Sequence, residues 1–66
     1  MNIQYPEIRV RLSGTDGNAF AILGKVQKAM KQADVPAAKV DEFMEEATEG
    51  DYDHLLQTAM KWVSVS

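Results

Sequence analysis

Three carboxylates and the only histidine of the chain, Glu49, Asp51, Asp53 and His54, stand in one short stretch and form its densest group of potential metal ligands. Carboxylates with an imidazole can hold a divalent cation, but ligands this close around a helix start need a dedicated loop, and the spacing is not that of a calcium loop. A plainer account covers the same residues: Asp51 caps a helix, Asp53 complements its positive end, and His54 falls off the apolar stripe onto solvent. No metal site is expected. Nucleophilic catalysis finds no cysteine, and Ser13, Ser64 and Ser66 lie in a turn or near a terminus without an evident base. The other carboxylates lie on the outside of a helix, away from the burial that general acid–base catalysis draws on. The expectation is a protein that is not an enzyme, with no catalytic residue and no cofactor.

The segment SGTDGNAF, leading from a strand into a helix, has the outline of an anion site, where exposed N–H groups and the helix dipole attract phosphate. Its details argue otherwise. Asp16 stands where the phosphate would bind, no lysine follows the second glycine, and neither GxGxxG nor GxxxxGK is present. The glycines then serve a turn with unusual backbone angles.

Charge is sorted along the chain. Residues 1–33 carry Arg9, Arg11, Lys25, Lys28 and Lys31 against Glu7 and Asp16, five positive less two negative, or +3. Residues 34–66 carry eight acidic residues against Lys39 and Lys61, or −6, and the halves together make the formal net charge of −3. Acidic residues recur at Asp41/Glu45/Glu49 and Glu42/Glu46, and Glu42/Glu45 with Glu46/Glu49 bring the like-charge pairs to five. At roughly 0.2–0.5 kcal/mol each, they destabilise the isolated helix by about 1–2.5 kcal/mol. Glu45, Glu46 and Glu49 also crowd the helix end where the dipole disfavours anions. Two things offset that cost: pairing with Lys25, Lys28, Lys31 or Lys61 of the same chain or a sister subunit, or docking to a basic partner. Glu42, Glu45, Glu46 and Glu49 are the candidate partner-binding residues, for a protein partner that the sequence does not identify.

Nucleic acid is disfavoured as a partner. KAMKQADVPAAKVDEFM has the outline of a helix-turn-helix, but its second helix would bring Asp41, Glu42, Glu45, Glu46 and Glu49 towards phosphates. The alternative that survives is a nucleic-acid-binding face of Arg9 and Arg11 on a strand with Lys25 and Lys28, and Lys31 beyond them, on the first helix. No exposed aromatic interleaves these residues to stack on bases. A membrane surface could use the same lysines, but the apolar face of that helix is needed for the core.

Few elements are available to position these residues. Ile8, Val10 and Leu12 alternate with Glu7, Arg9 and Arg11, the period of a half-buried strand over 7–12, and Pro6 suits its start or an edge. A turn over 13–18 ends in a cap, Asp16 or Asn18. Ala19, Phe20, Ile22, Leu23, Val26, Ala29, Met30 and Ala33 recur at three- and four-residue intervals and predict a helix over 19–33. Asp34 caps and Pro36 opens a second helix with the stripe Ala37, Val40, Phe43, Met44 and Ala47, and Gly50 is placed for a left-handed stop. Asp51 caps a third helix striped by Tyr52, Leu55, Leu56, Ala59, Met60 and Val63, with Trp62 on its flank. One strand cannot satisfy its own backbone. Residues 2–5 folding back, residues 63–66 leaving the third helix as a short strand, or a second copy could each pair with it. The second copy is preferred, because an antiparallel two-fold pair extends the small core.

A chain of 66 residues buries only about 60% of its unfolded surface. Without cysteine it has no disulfide or thiolate zinc site to compensate, so self-association as a homodimer is expected. The N-terminus MNIQYPEIRV lacks a basic region followed by an apolar run, and the longest apolar run, 19–23, falls short of a membrane span. A cytoplasmic protein with no membrane partner is expected.

LSGTDGNAFAILGKV, with GDYDHLL further on, resembles a group of short uncharacterised proteins from bacteria and their phages, over about residues 10–63. The resemblance implies an intact natural domain. It carries no activity, cofactor or ligand site across to Asp16, Asn18, Asp51, Asp53 or His54. From the residues themselves the chain is a single α+β domain over 1–66, one short N-terminal strand followed by three amphipathic helices packed as a small helical domain. The expected core is Ile8, Val10, Leu12, Phe20, Leu23, Val26, Met30, Val40, Phe43, Met44, Leu55, Leu56, Ala59, Met60 and Val63. The expected function is a small non-enzymatic protein-interaction module that self-associates and presents its acidic helix to a partner.

Overall fold

A computed structural model describes residues 2–12 and 18–66. The chain is an α+β fold in the order β1 Tyr5–Val10, α1 Ala19–Gln32, α2 Ala37–Ala47, α3 Tyr52–Trp62 and β2 Val63–Val65. The turn, the Asp16 cap and the anion-site reading of SGTDGN fall largely on 13–17, outside the described residues.

β1 pairs in parallel with β2 of the same chain, the pairing through residues 63–66, where a second copy is the preferred expectation from sequence. A parallel pair needs a long crossover, and here all three helices supply it. The ladder sets Tyr5 against Val63, Arg9 against Ser64 and Val10 against Val65, with an irregularity between Tyr5 and Arg9. Pro6 sits in that irregularity, where its missing N–H costs the ladder nothing, and its carbonyl accepts from Ser64 Oγ at 2.8 Å. The strand starts and ends two residues before the expected 7–12, yet pairing continues past it: Leu12 N donates to Ser66 O at 2.8 Å and Ser66 N to Val10 O at 3.0 Å. Ile8 and Val10 face inward while Glu7, Arg9 and Arg11 stay exposed, as a period of two requires.

Asn18 caps α1 through its side chain, which accepts from Phe20 N at 2.9 Å. Asp34 ends this helix and does not cap the next. With φ at 62° it takes the left-handed position, Asp34 N donates to Lys31 O at 3.1 Å and Val35 N to Met30 O at 3.0 Å. Those two bonds make a Schellman stop, with Asp where glycine is usual. The N-cap of α2 is Pro36, with no side-chain hydrogen bond. Gly50, expected in a left-handed stop after α2, is not left-handed. Thr48 closes that helix instead, donating from Oγ1 to Met44 O at 2.8 Å and to Glu45 O at 3.2 Å. Asp51 caps α3 by accepting from His54 N at 2.9 Å.

The helices bury Ile22, Leu23, Val26 and Met30 of α1, Val40, Phe43 and Ala47 of α2, and Leu55, Thr58, Ala59 and Trp62 of α3 against Ile8, Val10 and Val63. Leu12, Met44 and Leu56 are only partly buried at its margin. Two expected core residues are outside it: Phe20 is 82% exposed and Met60 57% exposed. Phe20 occupies the first turn of α1, and helical side chains lean towards the N-terminus, so it overhangs the last core layer. Met60 is displaced by Trp62, which is 3% exposed. Burying the largest apolar side chain turns α3 so that Thr58 and Trp62 face inward and Tyr52 and Met60 outward. No helix among the described residues is long and apolar enough to cross a membrane.

Candidate functional site

Two oppositely charged surfaces carry the candidate residues. The acidic one is the outer face of α2. Asp41, Glu42 and Glu45 are exposed along it, Glu49 is exposed just past its end, and Glu42 pairs with Lys39 at 3.3 Å within the helix. Among the described residues, no ion pair joins Lys28, Lys31 or Lys61 to this face. An exposed pair of the Lys39–Glu42 kind contributes little, and because α2 ends at Ala47 the expected pairs of Glu45 and Glu46 with Glu49 fall outside the helix.

Glu46 leaves the predicted set. It is half-buried against α3, and its Oε2 accepts a hydrogen bond from Trp62 Nε1 at 3.2 Å. Its backbone carbonyl lies 2.8 Å from His54 Nε2. A carbonyl only accepts, so Nε2 carries the proton and donates. His54 is therefore not on solvent: its ring is half-buried and fastens the last turn of α2, where an orphan carbonyl favours a donor. Thr58, beneath it, donates from Oγ1 to His54 O at 2.8 Å. Of the four residues weighed as metal ligands, His54 spends Nε2 on Glu46, and Asp51 spends an oxygen on the cap of α3. Among the described residues no three His, Asp or Glu side chains are grouped for a shared ion.

Gly50 makes this clamp possible. A Cβ there would meet His54 Cβ and Cγ at 2.8 Å, and His54 cannot retreat because its N–H is held by Asp51. Gly24, exposed in the middle of α1, has nothing within 4 Å of the same position. The two substitutions should therefore move stability in opposite directions. Gly50→Ala is expected to cost about 1–3 kcal/mol by expelling the ring from Glu46. Gly24→Ala should add about 0.5–1 kcal/mol by removing backbone freedom from the unfolded chain. Thermal melts followed by circular dichroism would show both, at about 4–8 °C per kcal/mol. A Gly50→Ala protein melting at or above the wild type would contradict the clamp.

The basic surface lies between β1 and α1. Arg9 and Arg11 project from alternate positions of one edge and Lys25 and Lys28 from successive turns of the helix, and together with Gln32 they line a depression of about 320 Å³. All four residues of the sequence-derived basic set thus meet at one place. Lys31 stands apart from it, in the groove between α1 and α2 with Asp34 and Asp41, where the two surfaces adjoin. No family model, curated protein or solved structure matches the chain.

Sequence reasoning missed the Glu46–Trp62–His54 cluster because its members come from different helices. The available hint was positional: Glu46 is three residues from Phe43 and next to Ala47, both buried, so it borders the inner face of α2. Gly50 four residues before His54 is the other hint, since a close approach is one reason for glycine.

Proposed function

We propose that this domain is a non-enzymatic, cytoplasmic protein-interaction module that presents the outer face of α2 to a basic partner. The observation that carries the reading is the row of exposed carboxylates, Asp41, Glu42 and Glu45 on α2 and Glu49 just past its end, of which Glu42 pairs with Lys39. A surface of like charges is stabilised when cations of a partner approach it. Glu46 is left out of the docking face, since its carboxylate serves Trp62.

Nucleic-acid binding is a second reading, favoured by the convergence of Arg9, Arg11, Lys25 and Lys28 on one depression. Against it stand the net charge of −3 and the lack of an aromatic side chain in the lining of that depression to stack on bases. One set of preparations tests both. Glu42→Gln/Glu45→Gln/Glu49→Gln should lose the recovered partner in a pull-down while keeping its helical spectrum, and Glu7→Gln, exposed on β1, should keep it. Equal recovery from all three proteins removes the acidic-face reading. In a low-salt gel shift, where counterion release most favours binding, a retarded band lost in Arg9→Gln/Lys28→Gln would favour nucleic acid instead.

A further inference from the structure

We infer that the basic depression between β1 and α1 receives the α2 ridge of a second copy of this chain. This rests on the acidic-face reading and names its partner. The depression gathers Arg9, Arg11, Lys25 and Lys28, and the ridge carries Asp41, Glu42 and Glu45 with Glu49 just past the helix, so one chain bears two surfaces opposite in sign. The depression is shallow and open to an approaching helix face. Within one molecule the two surfaces stand on different elements, β1 and α1 framing the first and α2 carrying the second across the α1–α2 groove.

That groove adds to the complementarity. Lys31 lies there with Asp34 and Asp41, with no ion pair from Lys31 to either among the described residues. If two copies exchange ridges about a two-fold axis over the groove, Lys31 of each copy approaches Asp41 of the other. A polyanionic strand would match the depression alone. A second copy matches the depression, the ridge and the groove together. Docking also covers more surface of a domain whose size gives it a small core.

The contact is electrostatic and must therefore depend on salt. Light scattering at low salt should show the mass rising with concentration from the 7.3 kDa of one chain to at least twice that value, and falling back at about 1 M salt, where screening acts within about 3 Å. Charge reversal identifies the surfaces. Arg9→Glu/Lys28→Glu and Glu45→Lys/Glu49→Lys should each weaken self-association by about tenfold or more, and an equimolar mixture of the two should restore the heavier species. Structural damage cannot produce that rescue. A wild type that stays at the monomer mass at every concentration overturns the inference, as does an oligomer indifferent to both reversals. If the monomeric wild type still loses its pull-down partner on Glu42→Gln/Glu45→Gln/Glu49→Gln, only self-docking has failed and the acidic face stands. Monomeric protein that binds a single-stranded oligonucleotide through Arg9 and Lys28 also overturns it, in favour of a nucleic-acid ligand.

Discussion

Trp62→Ala should leave the chain largely unfolded at room temperature. The indole is 3% exposed, stacks on Tyr5 with centroids 6.3 Å apart, and meets Phe43 edge-on at 5.8 Å. It thereby joins the strand entry, α2 and the end of α3, while Nε1 donates to Glu46 at 3.2 Å. Truncating a buried aromatic of this size costs about 3–5 kcal/mol. Leaving the half-buried Glu46 carboxylate without its donor adds about 1–3 kcal/mol. A domain of this length has a total stability of only about 3–10 kcal/mol, so a combined loss of about 4–8 kcal/mol spans most of that range. Trp62→Phe separates the two contributions, because it retains a ring against Tyr5 and Phe43 and removes only the N–H and the extra bulk. Urea titration followed by circular dichroism should place the phenylalanine variant between the wild type and the alanine variant. A Trp62→Ala protein that melts cooperatively within about 5 °C of the wild type would show that the indole is not the keystone described.

Deleting residues 63–66 should have an effect of the same order by a different route. It removes Val63, which is fully buried, and strips β1 of the bonds from Ser64 Oγ to Pro6 O, from Ser66 N to Val10 O and from Leu12 N to Ser66 O. β1 then has no partner within the chain, and a lone strand is not stable in water. The helices do not survive separately, since pieces of 14, 11 and 11 residues are too short to hold their shape without packing. Loss of helical signal on deleting a strand is therefore the expected result. Ser64→Ala, which removes one side-chain hydrogen bond, should cost only about 0.5–1.5 kcal/mol. A truncated chain that keeps a cooperative melt would mean that the helices form the domain without the sheet.

The local elements were legible because their signals are local. Apolar residues three and four apart placed α1, α2 and α3, and Asn18 and Asp51 cap where a short polar side chain before such a run should cap. Alternation placed a strand, shifted by two residues. The exposed charges, Glu46 apart, were also legible directly, since surface charge needs only the knowledge of which helix or strand face is outward.

The failures lie where position around a helix is decided by a neighbour. Periodicity alone sets Trp62 on a flank and Met60 in the core, because a stripe drawn on one helix carries no knowledge of the space that Tyr5 and Phe43 leave open. Glu46 reads as a free carboxylate because its donor comes from a residue 16 positions away, and His54 reads as solvent-facing because its acceptor belongs to another helix.

By itself the sequence determined the three helices, the alternating strand, two of the caps and the division of charge, all properties set by backbone preference and by periodicity over a few residues. Only the tertiary structure decided that β1 pairs with β2 across 58 positions, that Trp62 turns α3 inward, that Glu46 and His54 bind one another's helices, and that four cations surround one depression. Contacts of that kind must overcome the entropy of closing long loops, and they form where the whole set of faces can be buried at once, which no single stretch of chain records.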